Sequence, residues 1–458
     1  MPDSSSNVVQ IGHPPRRRPR LAIVSTYDEL CGIAGYTRAL IRQLERYFEI
    51  EVFDLDQFFM RSRDRKVRRI ADQMIKDFCA RAREFDFINI QLEYGTLGYS
   101  AFDISRRFEW LAKAAPALSV TFHTITRQGP IDVLHVMERL SKLKFREARD
   151  YLRAARETNQ VRCLAALRRH QKVKPVNVIV PTRRDYRIMR HVNGLDAVHD
   201  HPLTFLSEDD VARIRQETRR SDFVSLADLP DEARLIGVFG FLSEYKGFET
   251  VVRAMHALPD SYHLVFFGGL HPNEIRERVP LHPYLKTLLG AAHVDSTVFD
   301  RFGNTPMSIA VDSAMSDLLL KHPKNIAARL HFMGAQTDEN FARGMAICDQ
   351  VVLPYLEVGQ ASSGPMSIAL EMGVRIIAAR NHAFIQFARY HPDSIEFFEI
   401  GNHVELAERM RSRRAFPARS PRAYNVNTNA ALYVKANTPK DFSRSVENEE
   451  MPRPAAIA

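Results

Sequence analysis

The sequence predicts an α/β protein made of two doubly wound halves, and three observations carry that expectation. Apolar strand segments alternate with amphipathic helical ones along most of the chain. The alternation restarts at Leu235, after a polar stretch. The length, 458 residues, is too great for one typical domain.

The first strand is Leu21–Ser25, apolar almost throughout, as a strand covered on both faces should be. A glycine-bearing turn, Cys31 to Gly35, leads into an amphipathic helix over Tyr36–Tyr47, with Leu40, Ile41 and Leu44 on one side. Further strands are expected at Ile50–Leu55, Phe87–Gln91, Leu118–Phe122 and Val176–Val180, separated by helical patterns. The second half opens with the strand Leu235–Gly240, then a helix near Phe248–Leu258 and a strand at His263–Phe267. A strand near Arg329–Met333, a helix at Glu339–Ala346, the strand Gln350–Leu353, a helix near Pro365–Met372 and a strand at Val374–Ala378 complete it.

The expected organisation is a disordered basic leader at 1–19 and an N-terminal domain at 20–205, which includes a basic helical segment at 131–174. A polar linker at 206–233 leads to a C-terminal domain at 234–410 with an irregular insertion at 272–325. A C-terminal segment at 411–458 ends in a disordered tail.

Composition narrows the function classes. The apolar share of 45% and charged share of 26% are ordinary for a soluble protein. No apolar run reaches the roughly 18–20 residues that span a bilayer, and the leader lacks the apolar stretch of a secretory signal. Cys31, Cys79, Cys163 and Cys348 are far apart, which argues against a zinc knuckle or disulfide framework and fits a reducing cytoplasm. Neither G-x-G-x-x-G nor the GxxxxGK[ST] loop occurs, which argues against a dinucleotide dehydrogenase or P-loop enzyme. The net charge of +9 fits simple solubility, nucleic acid, anionic lipid or a phosphorylated substrate. For the basic segment three readings stay open: a solvated helix face, a surface resting on anionic lipid, or a nucleic-acid contact. The last has no recognised motif behind it.

One constellation in the second half points to phosphate chemistry. Lys246-Gly247 follows the strand ending at Gly240, and Ser362-Ser363-Gly364 opens a helix that carries Glu371. In parallel sheets, ligands gather at the C-terminal strand ends. A helix start offers free N–H groups to a diphosphate, and Lys246, past its strand and outside the core, offers a counter-charge. Glu371, two turns into the helix, is placed to accept from ribose hydroxyls. Asp54-Leu55-Asp56 spells the D-x-D triplet of metal-dependent transferases, but its early position reads as a solvated turn.

Six segments in order, Gly32–Thr37, Asn89–Gly95, Thr121–Thr124, Gly237–Gly247, Phe266–Gly269 and Ser362–Gly373, resemble glycosyltransferase family 4. These are retaining enzymes of the GT-B fold, two Rossmann-like domains facing each other across a cleft. The resemblance covers about residues 20–410. It implies transfer of a sugar from a nucleoside-diphosphate sugar to a glycan or lipid-linked acceptor, in polysaccharide or glycolipid synthesis, with no metal and no cofactor. It places the protein in the cytoplasm or peripheral on the inner face of the membrane, with an anionic membrane surface as a candidate partner and nucleic acid not expected. Lys246 matches the family lysine that neutralises the diphosphate, and His123 resembles the histidine that faces the donor sugar. Gly35 would allow close approach to the diphosphate, and Gln91 and Glu93 would line the acceptor side. The chain departs from the pattern twice. Ser363 replaces the first glutamate of E-x7-E, and Phe241 replaces an arginine. Those departures keep open a catalytically silent GT-B protein that binds a nucleotide sugar or a partner enzyme. A related sugar-phosphate synthase is a third reading; for a phosphorylase, nothing marks the pyridoxal lysine it would need.

Overall fold

The computed structural model describes residues 17–125, 137–139, 141–142, 144–145, 159–270, 282–292, 297–299, 306–308, 326–359, 361–412 and 422–438. Most of the leader, much of the 131–174 segment, most of the 272–325 insertion and the C-terminal tail lie outside these residues.

Two six-stranded parallel sheets form the frame. The first contains β1 (Arg20–Ser25), β2 (Glu49–Asp54), β3 (Phe87–Leu92), β4 (Leu118–Phe122), β5 (Val176–Val180) and β6 (Ala197–Asp200), ordered β2-β1-β3-β4-β5-β6. The second contains β7 (Arg234–Phe239) and β8 (Tyr262–Phe267), followed after a separate antiparallel pair, β9 (Thr297–Phe299) and β10 (Pro306–Ser308), by β11 (Leu330–Phe332), β12 (Gln350–Leu353), β13 (Arg375–Ala379) and β14 (Glu396–Phe398). Its order is β11-β8-β7-β12-β13-β14. Leu21 to Val24 have no exposed surface, as expected for a strand with helices on both faces.

The helices that position the site are α1 (Gly32–Leu44), α2 (Arg65–Arg81), α3 (Ala101–Ala114), α4 (Asn159–His170), α5 (Glu208–Glu217), α6 (Phe248–Met255), α7 (Asp338–Ile347), α8 (Gly364–Met372) and α9 (Val426–Ala436). No helix among the described residues is long and apolar enough to cross a membrane.

Four features differ from the sequence reading or extend it. Helix α1 starts at Gly32, not Tyr36, because Cys31 caps it: the thiol accepts from the Ala34 amide at 3.4 Å. Gly35 is therefore inside the helix and not in the preceding turn. Strands β6 and β14, four and three residues long, lie at the edges of their sheets and were too short to show as apolar runs. The stretch expected as a polar linker carries α5, whose capping box joins Ser207 and Asp210 and whose Val211 and Ile214 enter the second core. After the second sheet the chain returns to the first domain, where Ala430, Tyr433 and Val434 of α9 pack with Leu21, Ile23 and Tyr36.

The described end of the basic segment is α4, an amphipathic helix that buries Cys163, Leu164 and Leu167. Some of its charge is structural. Arg169 pairs with Glu109 at 2.8 Å, and Lys174, just beyond the helix, donates to the Ala112 and Ala115 carbonyls.

A fully buried arginine organises the ends of β2 and β3. Arg107 pairs with Asp72 at 2.8 Å and donates to the carbonyls of Met60 at 3.0 Å, Leu97 at 2.9 Å and Arg68 at 3.2 Å. Replacing it leaves three carbonyls without their donor. Arg107→Met is expected to lower the unfolding free energy by about 3 kcal/mol or more, measured by urea denaturation. A loss below about 1 kcal/mol, the worth of a surface ion pair, would refute this role.

Candidate active site

Lys246 lies on a single 3-10 turn, Glu244–Lys246, between the end of β7 and Gly247, which opens α6 at φ +62°. The sequence reading put it outside the core; the structure buries it, leaving 4% exposed. Its ammonium sits 3.7 Å from the centre of the Tyr355 ring and 4.9 Å from that of Tyr245. It makes no salt bridge among the described residues, and burial pulls its pKa down to about 7. The backbone around it has no room for side chains. A Cβ on Gly240 would lie 3.3 Å from the lysine Nζ, and one on Gly247 would lie 2.4 Å from the Pro354 carbonyl.

Tyr355 follows β12 and lies under Lys246, and its hydroxyl donates to the Phe239 carbonyl at 3.4 Å. Ser363 caps α8, accepting from the Met366 amide at 3.4 Å. The sequence foresaw a helix start rich in free N–H groups. The structure narrows this: Pro365 has no N–H, Met366 is capped, and Ser367 bonds to the Ser363 carbonyl at 3.2 Å. The Gly364 amide is left in the first turn without a partner among the described residues. Ser362 is half-buried beside it.

Glu371 is buried on the same helix, and its carboxylate accepts from the amides of Phe205 at 2.9 Å and Leu206 at 3.0 Å. Burial pushes its pKa up to about 8 against the pull of those two donors. The group expected at a ribose is thus fastened to the chain between the two sheets. A ribose contact would have to use the remaining lone pair on each oxygen.

On the first domain, His123 follows β4 and is 8% exposed. Its Nε2 meets the Gln91 side-chain oxygen at 2.9 Å. The Gln91 amide nitrogen is directed to Asn89 at 2.5 Å, so its oxygen is the acceptor and the imidazole carries its proton on Nε2, leaving Nδ1 as a lone pair. Burial pulls the ring's pKa down to about 4, so it is neutral at pH 7. Gln91, expected on the acceptor side, is 1% exposed and works from inside the sheet as the support of His123. The support continues into α9, where the Tyr433 hydroxyl meets Thr121 at 2.7 Å and Tyr36 at 3.3 Å. Glu93 is half-buried and accepts from the Thr124 hydroxyl at 2.6 Å; burial raises its pKa. Burial, with a smaller contribution from the Glu93 charge, raises the pKa of Tyr245 in the second domain.

Several contacts join the halves. Tyr36 lies edge-on to His123 and to Phe205, both at 5.5 Å between ring centres, and Phe205 leads to Glu371 through its amide. A Cβ on Gly364 would lie 3.3 Å from the Phe205 ring. A Cβ on Gly35 would lie 2.9 Å from a carboxylate oxygen of Asp338, which pairs with Arg38 at 2.7 Å. The close approach that Gly35 permits in this structure is to α7. Sequence reasoning gave no role to Tyr245, Tyr355 or Phe205; Tyr245 lies inside the quoted segment Gly237–Gly247, but no spacing rule marks any of the three. The Asp54-Leu55-Asp56 carboxylates serve the backbone: Asp54 accepts from the Tyr27 amide at 2.8 Å, and Asp56 caps a one-turn helix at Gln57–Met60.

A cavity of about 590 Å³ opens between the domains beside the serine loop, lined by Thr182, Arg184 and Asn193 on one side and Glu357, Ala361 and His382 on the other. Lys246 and His123 lie outside its lining.

The pH dependence of stability tests the state of Lys246. Its folded pKa of about 7 lies below the ordinary lysine value of 10.5, so between those values the unfolded chain binds more protons. Stability from this residue therefore rises with pH across that window, and the penalty is complete below it. Lys246→Met should remove the slope in urea titrations compared at pH 7 and pH 9.5. An identical slope in both proteins would show that the ammonium is not desolvated.

No family model matches the sequence, and no curated protein matches it. Solved structures do. HepE from Anabaena, in complex with UDP and glucose, is 15% identical with a TM-score of 0.50, covering 94% of this chain and 100% of that one. Sucrose-phosphate synthase from Thermosynechococcus elongatus is 13% identical at a TM-score of 0.53, covering 94% and 98%. The alpha,alpha-trehalose 6-phosphate synthase of Burkholderia multivorans is 12% identical at 0.55, covering 94% and 99%. At these identities the likeness concerns architecture, and with the two parallel sheets and their interleaved helices it shows that this chain has the GT-B fold, two Rossmann-like domains facing each other.

Proposed function

We propose that the chain is a nucleotide-sugar-dependent glycosyltransferase, a retaining and metal-independent enzyme of the family 4 type with a glycan or lipid-linked acceptor. The observation that carries this is Lys246: a buried ammonium on tyrosine rings, at the C-terminal ends of the second sheet, with no salt-bridge partner among the described residues. Such a group is stabilised by an incoming diphosphate. The neighbours support that choice of ligand, since HepE is seen with UDP and a related trehalose-phosphate synthase is described as UDP-forming.

In this reading the bond between the anomeric carbon and the diphosphate oxygen breaks, and charge grows on the leaving nucleoside diphosphate. Lys246 and the Gly364 amide meet that charge where it develops. His123, neutral and held by Gln91, offers Nδ1 as an acceptor to a hydroxyl of the transferred sugar. The acceptor hydroxyl attacks from the same face as the departing group, and the diphosphate oxygen takes its proton. The anomeric configuration is kept.

Ser363 and Phe241 favour a second reading, a protein that binds nucleotide sugar without turning it over. Release of nucleoside diphosphate separates the two.

Calorimetry against UDP-, GDP-, ADP- and dTDP-glucose tests the central claim. At pH 8 the free Lys246 is mostly neutral, so binding should draw nearly one proton from buffer, and affinity should fall by up to tenfold per pH unit above 7. Lys246→Met should abolish the uptake and slow nucleoside diphosphate release by about 100-fold or more. Binding without proton uptake, or full turnover in the variant, would remove the lysine from the mechanism.

A further inference from the structure

The first domain carries a second cationic surface that the donor chemistry does not use. The segment between β2 and α2 and the start of α2 hold Arg61, Arg63, Arg65, Lys66 and Arg69, all exposed. None of the five makes a salt bridge among the described residues. Nearby acids are committed elsewhere. Asp72 and Asp103 pair with Arg68, Arg106 and Arg107, Asp64 caps α2 through the Lys66 and Val67 amides, and Asp56 caps the turn before it.

Among these cations stand large apolar side chains in water. Phe58 is 71% exposed, Phe102 60%, and Tyr99 and Ile70 49% each. Cations and rings are interleaved: the Arg63 guanidinium lies 4.7 Å from the Tyr99 ring centre, and that of Arg106 lies 5.0 Å from Phe102.

The surface is rigid because Arg107 builds it. Its hydrogen bonds to Met60, Leu97 and Arg68 fasten the loop after β2, the loop after β3 and α2 to one buried charge. Gln57 adds a bond to the Thr96 carbonyl at 3.2 Å. The loop that carries Tyr99 begins at Glu93, so this platform and the cleft share one end of the first sheet.

We propose that this platform docks the protein on an anionic lipid surface, with Phe58, Tyr99 and Phe102 at the headgroup boundary and the five cations against lipid phosphates. Aromatic rings with an aliphatic neighbour, set among cations that make no salt bridge among the described residues, match an interfacial membrane site. These residues are distinct in sequence from the basic segment at 131–174. The inference rests on the transferase reading only for its consequence, that a lipid-linked acceptor would meet the cleft at the Glu93 end.

The test uses the full chain and sedimentation with vesicles of phosphatidylcholine alone or with about a third phosphatidylglycerol, at salt near 0.1 M, where the Debye length is about 10 Å. Binding should require phosphatidylglycerol and fade in high salt. Each cation near an acidic surface contributes roughly fivefold, so joint Arg63→Glu, Lys66→Glu and Arg69→Glu should weaken partitioning by about 100-fold or more. Joint Phe58→Ser and Phe102→Ser should weaken it about tenfold with the charge intact. UDP-glucose binding and the unfolding temperature are expected unchanged in both variants, since these side chains are exposed and away from Lys246. Three results overturn the proposal: wild-type protein that ignores phosphatidylglycerol, a charge-reversed variant that binds like wild type, or duplex DNA that outcompetes the vesicles for the platform. A failure of UDP-glucose to bind wild type would count against the transferase reading and leave the vesicle result to decide this one.

Discussion

An ammonium group resting on a tyrosine ring without a carboxylate is the constraint around which the second domain is arranged. Removing an ammonium from water costs several kcal/mol, and contact with an aromatic face returns about 2 kcal/mol when desolvated. The shortfall appears as the fall of Lys246 to about pKa 7. The surrounding backbone is committed to this placement. Gly240 adopts φ +116° beside the lysine, and a Cβ on Gly268 would lie 2.0 Å from the Gly240 carbonyl. Three glycines, 240, 247 and 268, thus pack backbone on backbone so that one charged side chain can lie over Tyr355.

The cleft is held from the opposite side by a carboxylate. Glu371 ties α8 to the Phe205–Leu206 amides, and Phe205 carries the contact through Tyr36 to His123. Burial moves the two groups in opposite directions, Glu371 up to about 8 and Lys246 down to about 7. A Glu whose folded pKa is raised loses stability as pH rises from its usual value through 8, whereas the lysine gains over 7 to 10.5. Near neutrality each group sits close to its balance point. They differ in their partners: the carboxylate has both oxygens satisfied by amides, while the ammonium has rings and no acceptor among the described residues. An anion entering this cleft changes the lysine far more than the glutamate.

Much of the frame was legible in the sequence because parallel strands buried on both faces read as unbroken apolar runs, as in Leu21–Val24 and Leu235–Ile236. β6 and β14 were missed because four- and three-residue edge strands such as Ala197–Asp200 carry too little apolar signal. The start of α1 was misplaced because glycine suggests a turn, and a cysteine at its cap gave no warning. Lys246, His123 and the serine loop could be singled out because each follows a strand. Their setting could not. That Gln91 faces inward, that Tyr355 underlies Lys246 and that Tyr433 reaches the His123 network from 312 residues away along the chain all depend on packing between distant segments.

The two departures from the family 4 pattern can be weighed against each other physically. Phe241 in place of arginine removes a cation from the phosphate side of the cleft. Ser363 in place of glutamate removes an anion from the start of α8. The hydroxyl caps that helix instead, through the Met366 amide, and Lys246 makes no salt bridge among the described residues. Relative to the pattern that the sequence resembles, the two changes cancel in formal charge, with one cation and one anion fewer. The cation that stays is a desolvated lysine, and the low-dielectric surroundings that depress its pKa strengthen its attraction for an incoming anion.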